Sequence, residues 1–276
     1  MSGSMKAQID IQTVADEVFA TLDSGRQIEP ISSRISSFDL ADAYRITAAI
    51  RHLRERRGEV PVGRKIGFTN RTIWAEYNVY APMWGYVYNR TVHDLARIDR
   101  TFSLSGLAAP RIEPEIVFKL ASAPVPGMDE RALQESIEWV AHGFEIVQSI
   151  FPGWKFSAAD TVAAFGLHGA LLVGPCHSMA ANAADWAGTL SNFEIDLKRD
   201  GVTGDHGRAV NVLGGPLSAL RHLVEILGQD EINPPLAAGE IVTTGTLTRA
   251  LPVSAGETWT TELIGVALDG ISVCFT

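Results

Sequence analysis

From Gly63 to the end, the chain is divided by glycine and proline into short apolar segments, and this texture limits the fold more than any other feature. The segments are Arg64 to Thr69, Tyr86 to Tyr88, Glu115 to Leu120, Phe144 to Ile150, Leu167 to Gly174, Phe193 to Arg199, Ile241 to Thr243 and Val266 to Phe275. Strand-length runs with turn residues between them predict a closed or rolled mixed β-sheet. Arg199-Asp200-Gly201 predicts a hairpin, because Asp-Gly tolerates the left-handed backbone of a tight turn. Helical periodicity interrupts the strands at Asp129 to Val140 and Pro216 to Leu227. Two amphipathic patterns, Ile11 to Leu22 and Phe38 to about Arg57, precede them. The expected class is therefore α+β, with an N-terminal helical region over residues 1–60 and a β-roll over residues 61–276. The opening Met1 to Ser4 reads as a cloning remnant ahead of a native start at Met5.

With 276 residues and 46% hydrophobic content, the chain is long enough for one large domain, or for one domain with a helical appendage. A net charge of -9 argues against nucleic acid and acidic membranes as partners, since an acidic field repels phosphate. Cys176 and Cys274 form no CxxC pair and no metal-ligand spacing, so a reduced cytoplasmic setting is expected, with Cys176 a small core residue. Apolar stretches such as Ala170 to Val173 are too short to span a bilayer. No GxGxxG after a strand, no P-loop and no GxSxG elbow supports a dinucleotide, nucleoside-triphosphate or serine-hydrolase reading.

What remains is a set of carboxylates. In Pro110-Arg111-Ile112-Glu113-Pro114-Glu115-Ile116, two glutamates stand two positions apart at the start of a strand, so both leave the same face. One cation can touch both, though the pattern equally suits the wet face of an edge strand, where proline is tolerated. Glu145 shifts the balance. It lies within Phe144-Glu145-Ile146-Val147, where a buried carboxylate needs a partner. Three carboxylates without a thiolate suit a hard cation, Mg²⁺ or Mn²⁺.

With these motifs the chain resembles the fumarylacetoacetate hydrolase superfamily, and within it the 2-keto-4-pentenoate hydratase and oxalocrotonate decarboxylase branch. The landmarks are Gly63 to Thr69, Pro110 to Phe118, Phe144 to Val147, Asp160 to Ala163 and Ala238 to Thr246, in order and over most of the chain. The resemblance implies that Glu113, Glu115 and Glu145 hold Mg²⁺ or Mn²⁺, that Lys65 lies in the active site, and that Gly245 and Thr246 bind a substrate carboxylate. It implies a mixed β-roll preceded by helices, a homo-oligomer, and a small 2-oxo carboxylate or dicarboxylate as substrate. The reaction expected first is hydration of a 2-hydroxydienoate in aromatic-compound catabolism. Acylpyruvate-type C–C hydrolysis and oxalocrotonate-type decarboxylation are the alternatives, and a non-enzymatic small-molecule binding module is the other class.

Departures from the branch pattern bear on that choice. Where its hydratases carry an aspartate before an aromatic-Gly pair, this chain has Met83-Trp84-Gly85. Where they read Asp-Thr-Val-Ala-Asp-Asn-Ala-Ser, it has Asp160-Thr161-Val162-Ala163-Ala164-Phe165-Gly166-Leu167, followed by His168. Met83 suits decarboxylation, and the histidines suit hydrolysis, which needs a base for water. His168 is the expected catalytic histidine, because His142 lies an odd three positions from Glu145 and so faces the other way. Asp160 is a second catalytic candidate, with helix capping as its plain alternative. Arg64 or Arg111 is expected to meet a second carboxylate on a diacid substrate.

Overall fold

The computed structural model describes residues 9–181, 186 and 188–276, so the reading of Met1 to Ser4 falls outside the described residues. Helices α1 (Ile11–Phe19), α2 (Ile31–Arg34) and α3 (Leu40–Arg56) come first, with Asp10 and Asp39 capping α1 and α3 by accepting from the backbone amides of Thr13 and Asp42. Strands β1 (Pro61–Gly67), β2 (Met83–Tyr88), β3 (Val92–Asp94), β4 (Thr101–Phe102) and β5 (Arg111–Leu120) follow, with a short helix α4 (Trp74–Tyr77) between β1 and β2. Next come α5 (Glu130–Glu135), β6 (Ile137–Val147), α6 (Ala158–Ala163), β7 (His168–Ser178), β8 (Glu194–Arg199) and β9 (Val202–Arg208). The chain ends with α7 (Pro216–Gly228), β10 (Ile241–Thr243), β11 (Leu251–Pro252), β12 (Thr258–Ile264) and β13 (Ser272–Phe275).

Among the described residues the strands form two sheets. The larger runs β2-β1-β10-β5-β6-β7-β3, with β11 beside β5, and the smaller runs β4-β13-β12-β8-β9. Pairing is mixed: β1 with β10 and β3 with β7 are parallel, while β5, β6 and β7 are successively antiparallel. Strand β2 comes close to β7 although four strands separate them in the sheet, so the larger sheet curls on itself. Its inner face carries Val87, Val117, Ala141, Leu171 and Val173 as one buried cluster. Alternate residues on β5 point outward: Ile116 and Phe118 meet Leu220, Leu223 and Leu227 of α7, while Ile112 joins Phe144, Trp259 and Phe275 beneath the smaller sheet. The α+β roll with leading helices is the architecture expected from the turn-punctuated segments.

The N-terminal helices pack on α6 through Val18, Ala43, Ile46, Val162 and Ala163. Buried Arg54 of α3 fixes this layer to the roll, its guanidinium 3.9 Å from the Tyr88 ring centroid and hydrogen-bonded to Glu59.

Three local expectations need correction. The helix expected over Asp129 to Val140 ends at Glu135, and Ile137 onward is strand β6. Pairing of β6 with β5 on one side and β7 on the other overrides the local helical spacing. The strand expected over Val266 to Phe275 is confined to Ser272–Phe275, and Gly265, at φ 90°, breaks the chain after β12. Cys176 is exposed at the outer end of β7 rather than packed in the core. The Asp200-Gly201 turn is as expected, with φ of 49° and 80° between β8 and β9.

Candidate active site

Strands β5 and β6 place Glu113 directly opposite Glu145, and the two-residue period puts Glu115 on the same inner face. Glu115 lies opposite Gly143, where an added Cβ would come within 2.9 Å of Leu172 O and 3.0 Å of Val117 Cγ2. One oxygen from each glutamate falls within a common 4.8 Å of the others, with Glu115 and Glu145 buried and Glu113 half-buried. From β1, Lys65 reaches into this group, its Nζ 3.0 Å from Glu145 Oε2 and donating to Gly166 O at 3.1 Å. The 165–167 segment comes this close because Gly85 of β2 lacks a side chain, whose Cβ would sit 2.7 Å from Phe165 O. The residues expected from sequence to bind a cation are thus brought together, with the lysine beside them.

The electrostatics are those of an uncompensated site. Burial pushes Glu113 up to about 7, Lys65 opposing the rise and Glu145 adding to it. Burial also drives Glu115 well above the usual carboxylate range, reinforced by the other two glutamates. For Glu145, burial acts upward too, but Lys65 and the His168 hydrogen bond outweigh it and hold the carboxyl below its ordinary value. Lys65 is lowered by burial and raised by all three glutamates, and the glutamates prevail. With all four groups ionised, one ammonium faces three carboxylates and two negative charges stay unmatched. Among the described residues, buried Glu115 Oε1 has no hydrogen-bond partner. An oxygen-only donor set, a charge deficit of two and an orphaned carboxylate oxygen fit a hard divalent cation.

The structure assigns several expected site residues to other work. His168 lies against Glu145, not in the cleft: Nδ1 donates to Glu145 Oε1 at 2.8 Å, and Nε2 accepts from the Thr91 hydroxyl at 2.8 Å. Both nitrogens are occupied in a side chain that is fully buried, so no face is left to activate water. His142 turns away as its odd offset predicts, bonding Glu115 O and Thr261 Oγ1 at 2.9 Å each. Asp160 completes a capping box with Ser157 and also accepts from Ser32 N and Ser32 Oγ, which satisfies both carboxylate oxygens and makes it a brace between α2 and α6. Arg64 follows the strand alternation to the opposite side from Lys65, where its guanidinium lies 3.9 Å from the Tyr86 ring and 3.3 Å from Glu240 Oε2. It cannot meet a substrate at the glutamates.

The Gly245 backbone amide donates to Glu115 Oε2 at 2.8 Å, so it orients a carboxylate of the site. At φ 92° and with Thr69 Oγ1 only 1.8 Å from an added Cβ, the position admits no side chain. Thr246 lines the cleft with Lys65, Glu113 and Gly166, its hydroxyl donating to Thr248 O. Met83, where the branch pattern has an aspartate, is buried and accepts a hydrogen bond through sulfur from Thr161 Oγ1.

Aromatic side chains that no local motif singles out wall the cleft. Phe68, Ile73, Tyr77, Trp154 and Leu167 line it beyond Lys65 and Glu113. Tyr77 stacks on Phe156 at 2° between ring planes, and Arg111 donates to Tyr77 Oη at 2.6 Å while lying 4.2 Å from the Trp154 ring centroid. Individually Trp154 and Phe156 resemble ordinary packing residues; only the fold brings the 68–80 segment over the 154–156 turn.

The family model for the fumarylacetoacetate (FAA) hydrolase C-terminal region matches residues 80–272. A 2-hydroxyhexa-2,4-dienoate hydratase of Comamonas testosteroni is 29% identical over 266 residues, covering 96% of each chain. A 4-oxalocrotonate decarboxylase of Pseudomonas sp. strain CF600 is 28% identical over 242 residues, covering 87% of each. Among solved structures, 4-oxalocrotonate decarboxylase from Pseudomonas putida G7, complexed with magnesium and adipate, superposes with a TM-score of 0.86 at 24% identity, covering 99% of this chain and 100% of that one.

Proposed function

The chain belongs to the fumarylacetoacetate hydrolase family, and on that premise we propose that it is a divalent-metal-dependent hydratase of 2-hydroxydienoates in aromatic-compound catabolism. The observation that carries this reading is the meeting of Glu113, Glu115 and Glu145 with Lys65 at the base of one cleft. Relatives that align over nearly the whole chain include a 2-hydroxyhexa-2,4-dienoate hydratase and a 2-keto-4-pentenoate hydratase, which supports the reaction type.

Glu113, Glu115 and Glu145 are the proposed holders of Mg²⁺ or Mn²⁺. When bound there, such a cation supplies a Lewis acid for the negative charge that develops on a 2-oxo carboxylate as it enolises. The chain's own groups divide the remaining work. Lys65 is held protonated by the surrounding carboxylates and lines the cleft, so it is placed to give a proton to the substrate and take one back. Gly245 and His168 orient Glu115 and Glu145 through the hydrogen bonds already described. The Thr246 hydroxyl oxygen offers the substrate an acceptor. As expected for this family, the working protein is proposed to be a homo-oligomer.

One observation favours a second reading. Met83 removes the acid-base group that the hydratase pattern carries, and decarboxylation needs fewer proton transfers than hydration. Hydrolysis has lost its support, because both imidazoles that suggested it are fully hydrogen-bonded. The deciding experiment offers Mg²⁺-loaded protein 2-hydroxypenta-2,4-dienoate, an oxalocrotonate and an acylpyruvate in turn, following each enol absorbance and identifying the product. A 4-hydroxy-2-oxo acid from the first substrate is the expected result. Carbon dioxide release or acylpyruvate cleavage without any hydration would overturn it.

A further inference from the structure

Hydration of a 2-hydroxydienoate delivers two protons to carbon, one beside the 2-oxo head and one at the far end of the conjugated system, and each delivery needs a positioned donor. Besides the glutamate, the cleft is lined by four side chains that carry an N–H or O–H: Lys65, Tyr77, Trp154 and Thr246. Two of these are spent. The Thr246 hydroxyl donates to Thr248 O at 3.0 Å, and the Trp154 indole N–H donates to Ala109 O at 3.1 Å. Lys65 stands among the glutamates that would hold the head, 3.0 Å from Glu145 Oε2. Met83, at the place of the hydratase pattern's aspartate, has no proton to give. Tyr77 remains. Helix α4 carries it onto the cleft wall, where stacking on Phe156 at 2° between ring planes fixes the ring. Arg111, which also acts on Glu113, donates to Tyr77 Oη at 2.6 Å. The phenol's own proton is left for the cleft and for the neighbouring Glu76, an exposed carboxylate through which it communicates with water.

Resting on the hydratase reading of this site, we propose that Tyr77 is a catalytic acid for the far end of the dienoate, doing the work of the aspartate that Met83 replaces. The steps balance as follows. The 2-hydroxyl proton leaves to solvent, its electron pair forms the 2-oxo group, and the terminal carbon C5 takes the Tyr77 hydroxyl proton, leaving a 2-oxo-3-enoate and the phenolate. Water then adds at C4 and gives a proton to the phenolate, while the C3–C4 π pair moves toward the 2-oxygen as an enolate. That enolate takes a proton at C3 from Lys65, and a solvent proton restores the ammonium. One water is added and nothing is oxidised. Burial, with Glu76 and Glu113 behind it, raises the phenol to about 12 against the pull of Arg111, so Tyr77 enters the reaction protonated. The Arg111 guanidinium already on Oη then faces the phenolate that the first transfer leaves.

The test sets the full reaction beside a partial one that involves the head alone. Mg²⁺-loaded protein is given 2-hydroxypenta-2,4-dienoate and the hydrated product is quantified. Separately it is given 2-oxopentanoate in deuterium oxide, and exchange of the C3 protons is followed by NMR. Tyr77→Phe keeps the ring and its stacking and removes only the hydroxyl. Its kcat for hydration is expected to fall by about 10²- to 10⁴-fold, while C3 exchange persists. Lys65→Met, which acts at the head, is expected to lose both. Hydration by Tyr77→Phe at the parent's rate overturns the proposal. Equal loss of hydration and C3 exchange in Tyr77→Phe also overturns it, since the tyrosine then serves only as a wall of the site. A parent that exchanges C3 yet forms no 4-hydroxy-2-oxo acid refutes the hydratase reading itself, and the Tyr77 assignment with it.

Discussion

Lys65 Nζ stands 3.0 Å from Glu145 Oε2 in a site where both side chains are buried, the lysine 4% exposed and the glutamate 0%. The pair is asymmetric, because the same ammonium also acts on Glu113 and Glu115, with Arg111 assisting it at Glu113. Its removal therefore changes the chemistry and the metal site in opposite directions.

In Lys65→Met the proton donor is lost while the glutamates gain net negative charge. Steady-state kinetics are expected to show kcat reduced by about 10²- to 10⁴-fold, while calorimetry shows Mg²⁺ bound as tightly as before or tighter. Weaker Mg²⁺ binding with a near-normal kcat would reverse the roles assigned here.

Glu115→Gln separates stability from function. Glutamine keeps an acceptor for the Gly245 amide and removes a buried charge whose Oε1 has no partner. The metal-free variant is expected to gain about 1–3 kcal/mol in urea denaturation, the cost of an unsatisfied buried group. Addition of Mg²⁺, which raises the melting temperature of the parent, should leave that of the variant unchanged. A variant that is destabilised without metal and still shifted by Mg²⁺ would show that Glu115 is not a ligand.

Much of this site was legible in the sequence because its geometry follows from strand periodicity. The two-residue spacing of Glu113 and Glu115 fixes a shared face, and the odd offset of His142 from Glu145 predicts its departure to Thr261. The same rule, applied to Arg64 beside Lys65, would have removed Arg64 from the substrate. What periodicity does not carry is contact between distant segments. Nothing local indicates that Ser32 satisfies Asp160, that Thr91 occupies the second nitrogen of His168, or that the Gly245 amide is spent on Glu115. Strand β12, and the extent of β9 beyond the Asp200-Gly201 hairpin, are hidden for a related reason. Val202–Arg208 is largely exposed and polar, and Thr258–Ile264 alternates threonine with a few large side chains, so both take strand form from pairing with β8.

Tyr44 gives the fold an alkaline limit. It stacks on Trp84 at 5.2 Å between ring centroids, and burial pushes its phenol up to about 12 from 10.0. The folded state then keeps a proton that the unfolded chain gives up above pH 10, so stability is full below about pH 10 and falls as pH rises toward 12. Two pKa units correspond to roughly 2–3 kcal/mol. Urea midpoints measured from about pH 9 to 12 should fall less steeply in Tyr44→Phe than in the parent. Identical slopes would mean that Tyr44 ionises as easily folded as unfolded.

His168→Ala tests whether this imidazole acts on the substrate or on Glu145. Its Nδ1–H fixes Glu145 Oε1 and Thr91 fixes its other nitrogen, so the ring orients a carboxylate that Lys65 also holds. Removing such an outer partner typically costs 10- to 100-fold in metal affinity. The variant should therefore need about that much more Mg²⁺ for half-maximal activity, yet approach the parent kcat once Mg²⁺ saturates. A general base behaves differently: its loss lowers kcat at every metal concentration and removes one limb of the pH–rate profile. The separation is clean because burial lowers the His168 pKa and keeps the ring neutral, the form that donates through Nδ1 and accepts through Nε2. A low kcat at saturating Mg²⁺, with an altered pH profile, would return His168 to the reacting groups. Recovery of kcat by added Mg²⁺ would leave Lys65 as the proton-transfer group lining the cleft beside the glutamates.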